Sequence, residues 1–266
     1  MPDSITTSAR PVTPTTILAA ELGDIAGQLS EIVGIEPELL ARVRRARDLA
    51  AGLDPYLDAC TTSESPALAD LARRTREADW GTGPLEQEML SGHVEGQTLK
   101  FLVHMTRASR ILEIGMFTGY SALAMAEALP AGGSVTACEL DEGVADFARR
   151  CFAESEAGRS ITVEVGPALE TVKRLRGPFD LVFVDADKPG YLEYFRYLMD
   201  SDLLAPNAVV AVDNTLMQGQ PWATGKRSVN GDAIAEFNRA VADDPRVEQV
   251  ILPLRDGVTL IRRVEA

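Results

Sequence analysis

FDLVFVDADKPGY, residues 179–191, runs from an apolar stretch into Asp185, Asp187 and Lys188. The β-branched and aromatic makeup of FDLVFV predicts a buried strand, so two carboxylates and an ammonium arrive where that strand stops. Charges gathered at the carboxyl edge of a strand point to a ligand there.

Outward from this segment, strand-like and helical stretches alternate beyond residue 107. The strand-like ones are ASRILEI (108–114), SVTACEL (134–140), ITVEV (161–165), FDLVFVDA (179–186) and AVVAVDN (208–214). VEQVILPL (247–254) and GVTLIRRV (257–264) are separated by Arg255 and Asp256, which leaves room for a hairpin and none for a crossover helix. The pattern predicts an α/β fold: an open, doubly wound, mostly parallel sheet ending in an antiparallel hairpin. In such sheets ligands bind beyond the carboxyl ends of the strands, where the strand order switches.

Upstream, residues 1–16 are rich in Thr, Ser and Pro and read as a mobile tail. From Ile17 to residue 83 a helical extension is expected, before a main domain over 84–266. Leu18, Leu22, Ile25, Leu29 and Ile32 recur at spacings of four and three, one stripe of a helix packed on its own domain or, alternatively, on a second copy. Further helices are expected over 36–52, 64–79 and 84–105. A chain of 266 residues fits one α/β domain with an extension.

The formal net charge of −14 argues against nucleic acid and anionic membrane as partners and favours a small molecule. Cys60, Cys138 and Cys151 are too scattered for a disulfide framework or zinc site, so they read as reduced, mostly buried thiols of a cytoplasmic protein. No run has the length of a membrane span, and the first residues lack the apolar core of a signal peptide.

ILEIGMFTGYS, residues 111–121, leads from a strand through a glycine turn into a helix. Gly115 and Gly119 allow a sharp turn and the close approach of a ligand. Glu139 ends the next strand twenty residues after Gly119, the spacing of an acidic group that accepts from ribose hydroxyls. A nicotinamide dinucleotide is one reading, but Phe117 stands near where its fingerprint needs a second glycine. An adenosine ligand without pyrophosphate fits better, with Glu113 answering a cationic, amino-acid-like portion; S-adenosylmethionine has these traits.

With LEIGMFTGYSAL, EVGPALETV, FVDADKPGYLEYF, VVAVDNTL and DPRVEQVILPLRDGVTLIRR in this order, residues 84–264 resemble the cation-dependent, S-adenosylmethionine-dependent O-methyltransferases of the caffeoyl-CoA and catechol type. The resemblance implies a Rossmann-like class I methyltransferase domain of seven strands, usually in a homodimer. It implies that Asp185, Asp213 and Asn214 hold a divalent cation and that Lys188 is the catalytic base. By the same resemblance Glu113, Gly115 and Ser121 contact the cofactor, Glu139 grips its ribose and Ala168 lies at its adenine. Met89, Ser91, Asp185 and Asp187 lie along its methionine portion. Glu139 stands where the family more often has aspartate, and Met217 where plant members carry tryptophan. EIGMFTGYSALAMAEALP and NTLMQGQ look most like the branch that methylates demethyl-4-deoxygadusol.

Two carboxylates and an amide oxygen are hard donors that suit Mg²⁺, with Ca²⁺ or Mn²⁺ as alternatives. A cation so held eases loss of a hydroxyl proton and lets two vicinal oxygens chelate, so the acceptor is expected to be a diol, catechol or enediol. For Lys188, a dication and burial favour the neutral amine while the aspartates oppose it. His104 reads as a packed histidine in an apolar helix, and His93 as a residue near the cofactor with a substrate role as its alternative. Tyr191, Tyr194, Phe195 and Tyr197 read as core, Trp222 as a wall for the acceptor, and Arg262 and Arg263 as a solvated strand end.

Overall fold

A computed structural model describes residues 12–80, 86 and 89–264. They fall into two compact units that meet between Cys60 and Thr61.

The first unit contains helices α1 (Pro14–Ser30), α2 (Pro37–Ala51) and α3 (Leu53–Cys60). α1 starts earlier than the sequence pattern suggests, so residues 14–16 are helix and not tail. Thr13 and Thr16 cap one another, each hydroxyl accepting from the other's backbone N–H, and Pro14 sits in the first turn, where its missing N–H costs nothing. The expected stripe is largely uncovered: Leu18, Ile25 and Ile32 are exposed, and the buried residue of α1 is Ala26. α3 is an element the sequence reading does not contain.

The second unit is built on a seven-stranded sheet of order β3-β2-β1-β4-β5-β7-β6. Its strands are β1 (Arg110–Ile114), β2 (Ser134–Glu139), β3 (Ile161–Val165), β4 (Phe179–Val184), β5 (Leu204–Val212), β6 (Val247–Leu252) and β7 (Val258–Arg263). The first five run parallel; β7 is antiparallel to both β5 and β6. The predicted doubly wound sheet with a terminal hairpin is what forms.

The helices of this unit are α4 (Pro66–Glu77), α5 (His93–Thr106), α6 (Tyr120–Glu127), α7 (Glu142–Ala153), α8 (Ala168–Arg174), α9 (Tyr191–Asp200) and α10 (Val229–Ala242). Ser65, Asp141 and Ser228 cap α4, α7 and α10, each side chain accepting from a backbone N–H of the first turn. The helices cover both faces of the sheet. Ile111, Leu181 and Phe183 pack with Leu99, Leu102 and Phe152 on one side; Leu112, Val182 and Val184 pack with Tyr191, Leu198 and Phe237 on the other. Consecutive strand residues thus feed opposite cores, which explains why the parallel strands read as continuous apolar runs. Burying each such large side chain is worth about 1.5–3 kcal/mol.

The helix expected over 84–105 begins only at His93. Gly92 has φ 83°, outside helical space, and residues 81–85, 87 and 88 lie outside the described residues. His104 is exposed, contrary to its reading as a packed residue. Arg262 pairs with Glu248 at the surface, but Arg263 turns inward and donates to the carbonyls of Leu198, Met199 and Ser201, capping the end of α9. Cys138 and Cys151 are buried free thiols, while Cys60 is exposed. Among the described residues no helix is long and apolar enough to cross a membrane.

Candidate active site

The strand order reverses at β1, which has β2 on one side and β4 on the other. Glu113 and Gly115 at β1, Glu139 at β2, Asp185 after β4 and Asp213 after β5 therefore stand at the carboxyl ends of four neighbouring strands. Backbone bonds lock this edge: the N–H of Asp185 donates to the Ile114 carbonyl at 2.8 Å, and that of Asp213 to the Val184 carbonyl at 2.9 Å.

Gly115 and Gly119, both left-handed at φ 90° and 89°, turn the chain from β1 into α6. Protein fills the space beside them. A Cβ on Gly115 would lie 2.2 Å from the Asp185 carbonyl oxygen, and one on Gly119 2.2 Å from the Phe152 ring. The missing side chains let β4 and α7 close on the turn. Phe117, between them, has φ 50° and donates its amide N–H to Glu139 Oε2 at 2.7 Å.

Glu113 is fully buried; Oε1 accepts from the Ser121 hydroxyl and Oε2 has no partner. Burial, opposed by Ser121 and reinforced by Asp185, pushes its carboxyl up to about 8. Such a group favours a cationic ligand with donors to spare. Glu139 is also raised by burial, partly offset by the amides of Asp141 and Phe117. The Gly166 N–H donates to the Glu139 carbonyl at 2.9 Å, so Ala168, the first residue of α8, starts beside the end of β2.

Lys188 Nζ donates to Asp185 Oδ1 at 2.9 Å, the Ala186 carbonyl at 3.1 Å and the Tyr191 hydroxyl at 2.7 Å. Burial alone would depress the amine, but the Asp185 carboxylate and Tyr191 outweigh it and hold the pKa above the usual lysine value. From protein groups alone, the charged form wins. Asp213 is 4% exposed, with Oδ1 buried and unpartnered; burial and then Asp185 raise it to about 6, against the pull of Lys188. Asn214, half-buried at φ 58°, follows it directly. Among the described residues no three of His, Cys, Asp and Glu converge on a common point. The unpartnered Asp213 oxygen beside Asp185 is a donor that would suit a hard cation, and Asn214 adjoins it in sequence.

Other expected residues are less closely drawn in. Asp187 is exposed and accepts from the Tyr194 hydroxyl at 2.8 Å. Met89 is 47% exposed, whereas Ser91 is buried. His93 Nε2 lies 2.5 Å from the Thr62 carbonyl, tying α5 to the segment before α4. Trp222 is exposed in the loop after β5. Tyr191 and Tyr194 are core residues as read, and both also spend their hydroxyls on the site.

The sequence reading misses Glu95, Arg255 and Asp256. Glu95 is buried in the first turn of α5, and a signal for it exists: it shares the apolar face of Leu99 and Leu102, at spacings of four and seven. Asp256 Oδ1 accepts from the Gln218 N–H at 2.6 Å, which pins the left-handed turn Met217-Gln218-Gly219 beyond Asn214. Burial pushes that carboxyl up to about 7. Neither Asp256 nor Arg255 has a sequence signal, because their partners lie far away along the chain.

The model of the O-methyltransferase family matches residues 58–264. The O-methyltransferase ankF of Aspergillus thermomutatus is 33% identical over 230 residues, 81% of this chain and 94% of that protein. The caffeoyl-CoA O-methyltransferase of Petroselinum crispum is 35% identical over 213 residues, 76% of this chain and 85% of that protein. Among solved structures, the Podospora anserina methyltransferase PaMTH1 with bound S-adenosylhomocysteine superposes with a TM-score of 0.73 at 28% identity, covering 88% of this chain and 99% of that one.

Proposed function

We propose that this chain, which belongs to the O-methyltransferase family and is an S-adenosylmethionine-dependent enzyme, is cation-dependent and methylates one hydroxyl of a vicinal diol, catechol or enediol. The observation that carries the cation is the buried, unpartnered Asp213 Oδ1 beside Asp185. A buried charged oxygen without a partner is costly, and a hard cation satisfies it. When bound, the cation supplies Lewis acidity that eases loss of the acceptor's proton.

The chain's own residues do the rest. Glu113 Oε2 and Ser91 receive the methionine portion of the cofactor, Glu139 the ribose and Ala168 the adenine, with Met89, Gly115, Ser121 and Asp187 along its length. Asp185, Asp213 and Asn214 would hold the cation to which the acceptor's neighbouring oxygens bind, and aligning one of them with the methyl group would be worth several kcal/mol, about 7 or more in the best cases. Lys188 Nζ accepts the hydroxyl proton as the O–CH₃ bond forms and the S–CH₃ bond breaks, leaving S-adenosylhomocysteine. The ammonium favoured by Asp185 must first give up a proton to solvent.

Family membership sets aside the nicotinamide reading. Among acceptors, demethyl-4-deoxygadusol follows from the resemblance of NTLMQGQ and its companion motifs, and its adjacent enolic and hydroxyl oxygens suit the corner. The exposed stripe Leu18, Ile25 and Ile32 supports a homodimer, and the free thiols support a cytoplasmic setting. The test is methyl transfer to demethyl-4-deoxygadusol, catechol and caffeoyl-CoA, followed by mass, with and without EDTA. Activity lost in EDTA and restored by Mg²⁺ is expected; full activity in EDTA refutes the cation.

A further inference from the structure

Glu95 and Arg255 come from opposite ends of the second unit. Glu95 is 2% exposed, its Oε2 is 3.4 Å from Arg255 Nη1, and its Oε1 is buried without a partner. It lies within hydrogen-bonding reach of the Asp213 carboxylate, and each of the two has one oxygen with no donor. Two buried carboxylates so placed repel each other unless positive charge stands nearby. Arg255 supplies part of it. The arginine sits in the turn between β6 and β7 at φ 48° and reaches beneath Gly92, where a Cβ would lie 2.8 Å from Nη1. There it also donates to the Leu90 carbonyl at 3.2 Å.

We infer that Glu95 and Arg255 form a charge couple that sets how tightly the Asp213 corner holds its cation. Glu95 strengthens the hold and Arg255 weakens it. The inference rests on the cation proposed at Asp185, Asp213 and Asn214 and adds the two residues that tune it. Because no three acidic side chains among the described residues converge, Glu95 acts through Asp213 and is a positioning residue. A glutamate at this position can present a carboxylate to a divalent ion held at Asp213 and a glutamine cannot, so Glu95→Gln would weaken attraction, whereas removing the arginine would lift a repulsion. The two substitutions therefore shift affinity in opposite directions, whereas residues that merely support the fold weaken it together.

The test is Mn²⁺ titration of the full chain with S-adenosylhomocysteine, free ion being read by electron paramagnetic resonance. Glu95→Gln is expected to weaken binding about tenfold and Arg255→Leu to tighten it severalfold. Glu95→Asp, which keeps the charge, recovers part of the loss. Unchanged affinity in Glu95→Gln, or weaker binding in Arg255→Leu, overturns the inference while the cation reading stands. Absence of Mn²⁺ binding by the unsubstituted protein overturns both. Should Glu95→Gln fail to fold, the sign of the Arg255→Leu effect decides.

Discussion

Lys188 combines a carboxylate, a carbonyl and a phenol around one ammonium, and that concentration of acceptors defines its chemistry. Replacing it with alanine removes the proposed base and frees Asp185 of one donor, while Glu113, Ser121 and Glu139 keep their own hydrogen bonds. Lys188→Ala is expected to lower kcat by about 10²–10⁴-fold, with S-adenosylhomocysteine affinity changed less than threefold by calorimetry. Glu113 gives a prediction on stability. Its carboxyl sits at about 8 in the fold against an ordinary value of 4.5, so between those values the folded chain keeps a proton that the unfolded chain releases. Its contribution is fully present below about pH 4.5 and is lost as pH rises through 8. Thermal unfolding of cofactor-free protein from pH 5 to 8.5 is expected to show falling stability, and Glu113→Gln to show a shallower fall. In the cation-free protein Glu95 and Asp213, raised by burial as well, contribute in the same direction, so part of the fall with pH remains in Glu113→Gln.

At the scale of elements, the fold depends on turns that admit no side chain and on caps that finish helices. Gly119→Ala forces a Cβ into the Phe152 ring at an unfavourable φ, and a loss of about 2–4 kcal/mol is expected in urea unfolding. Arg263→Ala strips the end of α9 of its donors and is expected to cost about 1–3 kcal/mol while leaving kcat unchanged. These elements also show what a sequence can convey. The strands around FDLVFV are legible because burial on both faces forces continuous apolar runs. Asp185, Asp213 and Glu139 are legible because charges at strand ends stand out against those runs. What fills the space beside Gly115 is not legible, since Asp185 lies seventy residues further on. The start of α5 depends on one left-handed glycine, and Arg263 resembles a surface arginine until α9 is packed beside it.

For the molecule as a whole, the parallel order β3-β2-β1-β4-β5 brings four strand ends to one edge, and the hairpin β6–β7 returns Arg255 and Asp256 to the same edge. Resemblance of motifs conveys the reaction class, while the loop 217–227, proposed to face the acceptor, carries no periodic signal in its sequence. Leu18, Ile25, Ile32, Leu49 and Tyr56 of the first unit are the side chains on which the proposed homodimer can be probed. Light scattering is expected to give a dimer mass, and Leu18→Glu with Ile25→Glu to shift it toward monomer. The central claim is that the edge holds a cation between β4 and β5. Its most direct test is an anomalous difference map from crystals grown with Mn²⁺ and S-adenosylhomocysteine. A peak bounded by Asp185, Asp213 and Asn214 is the result predicted; a map without density there, with Lys188 still bound to Asp185, contradicts it.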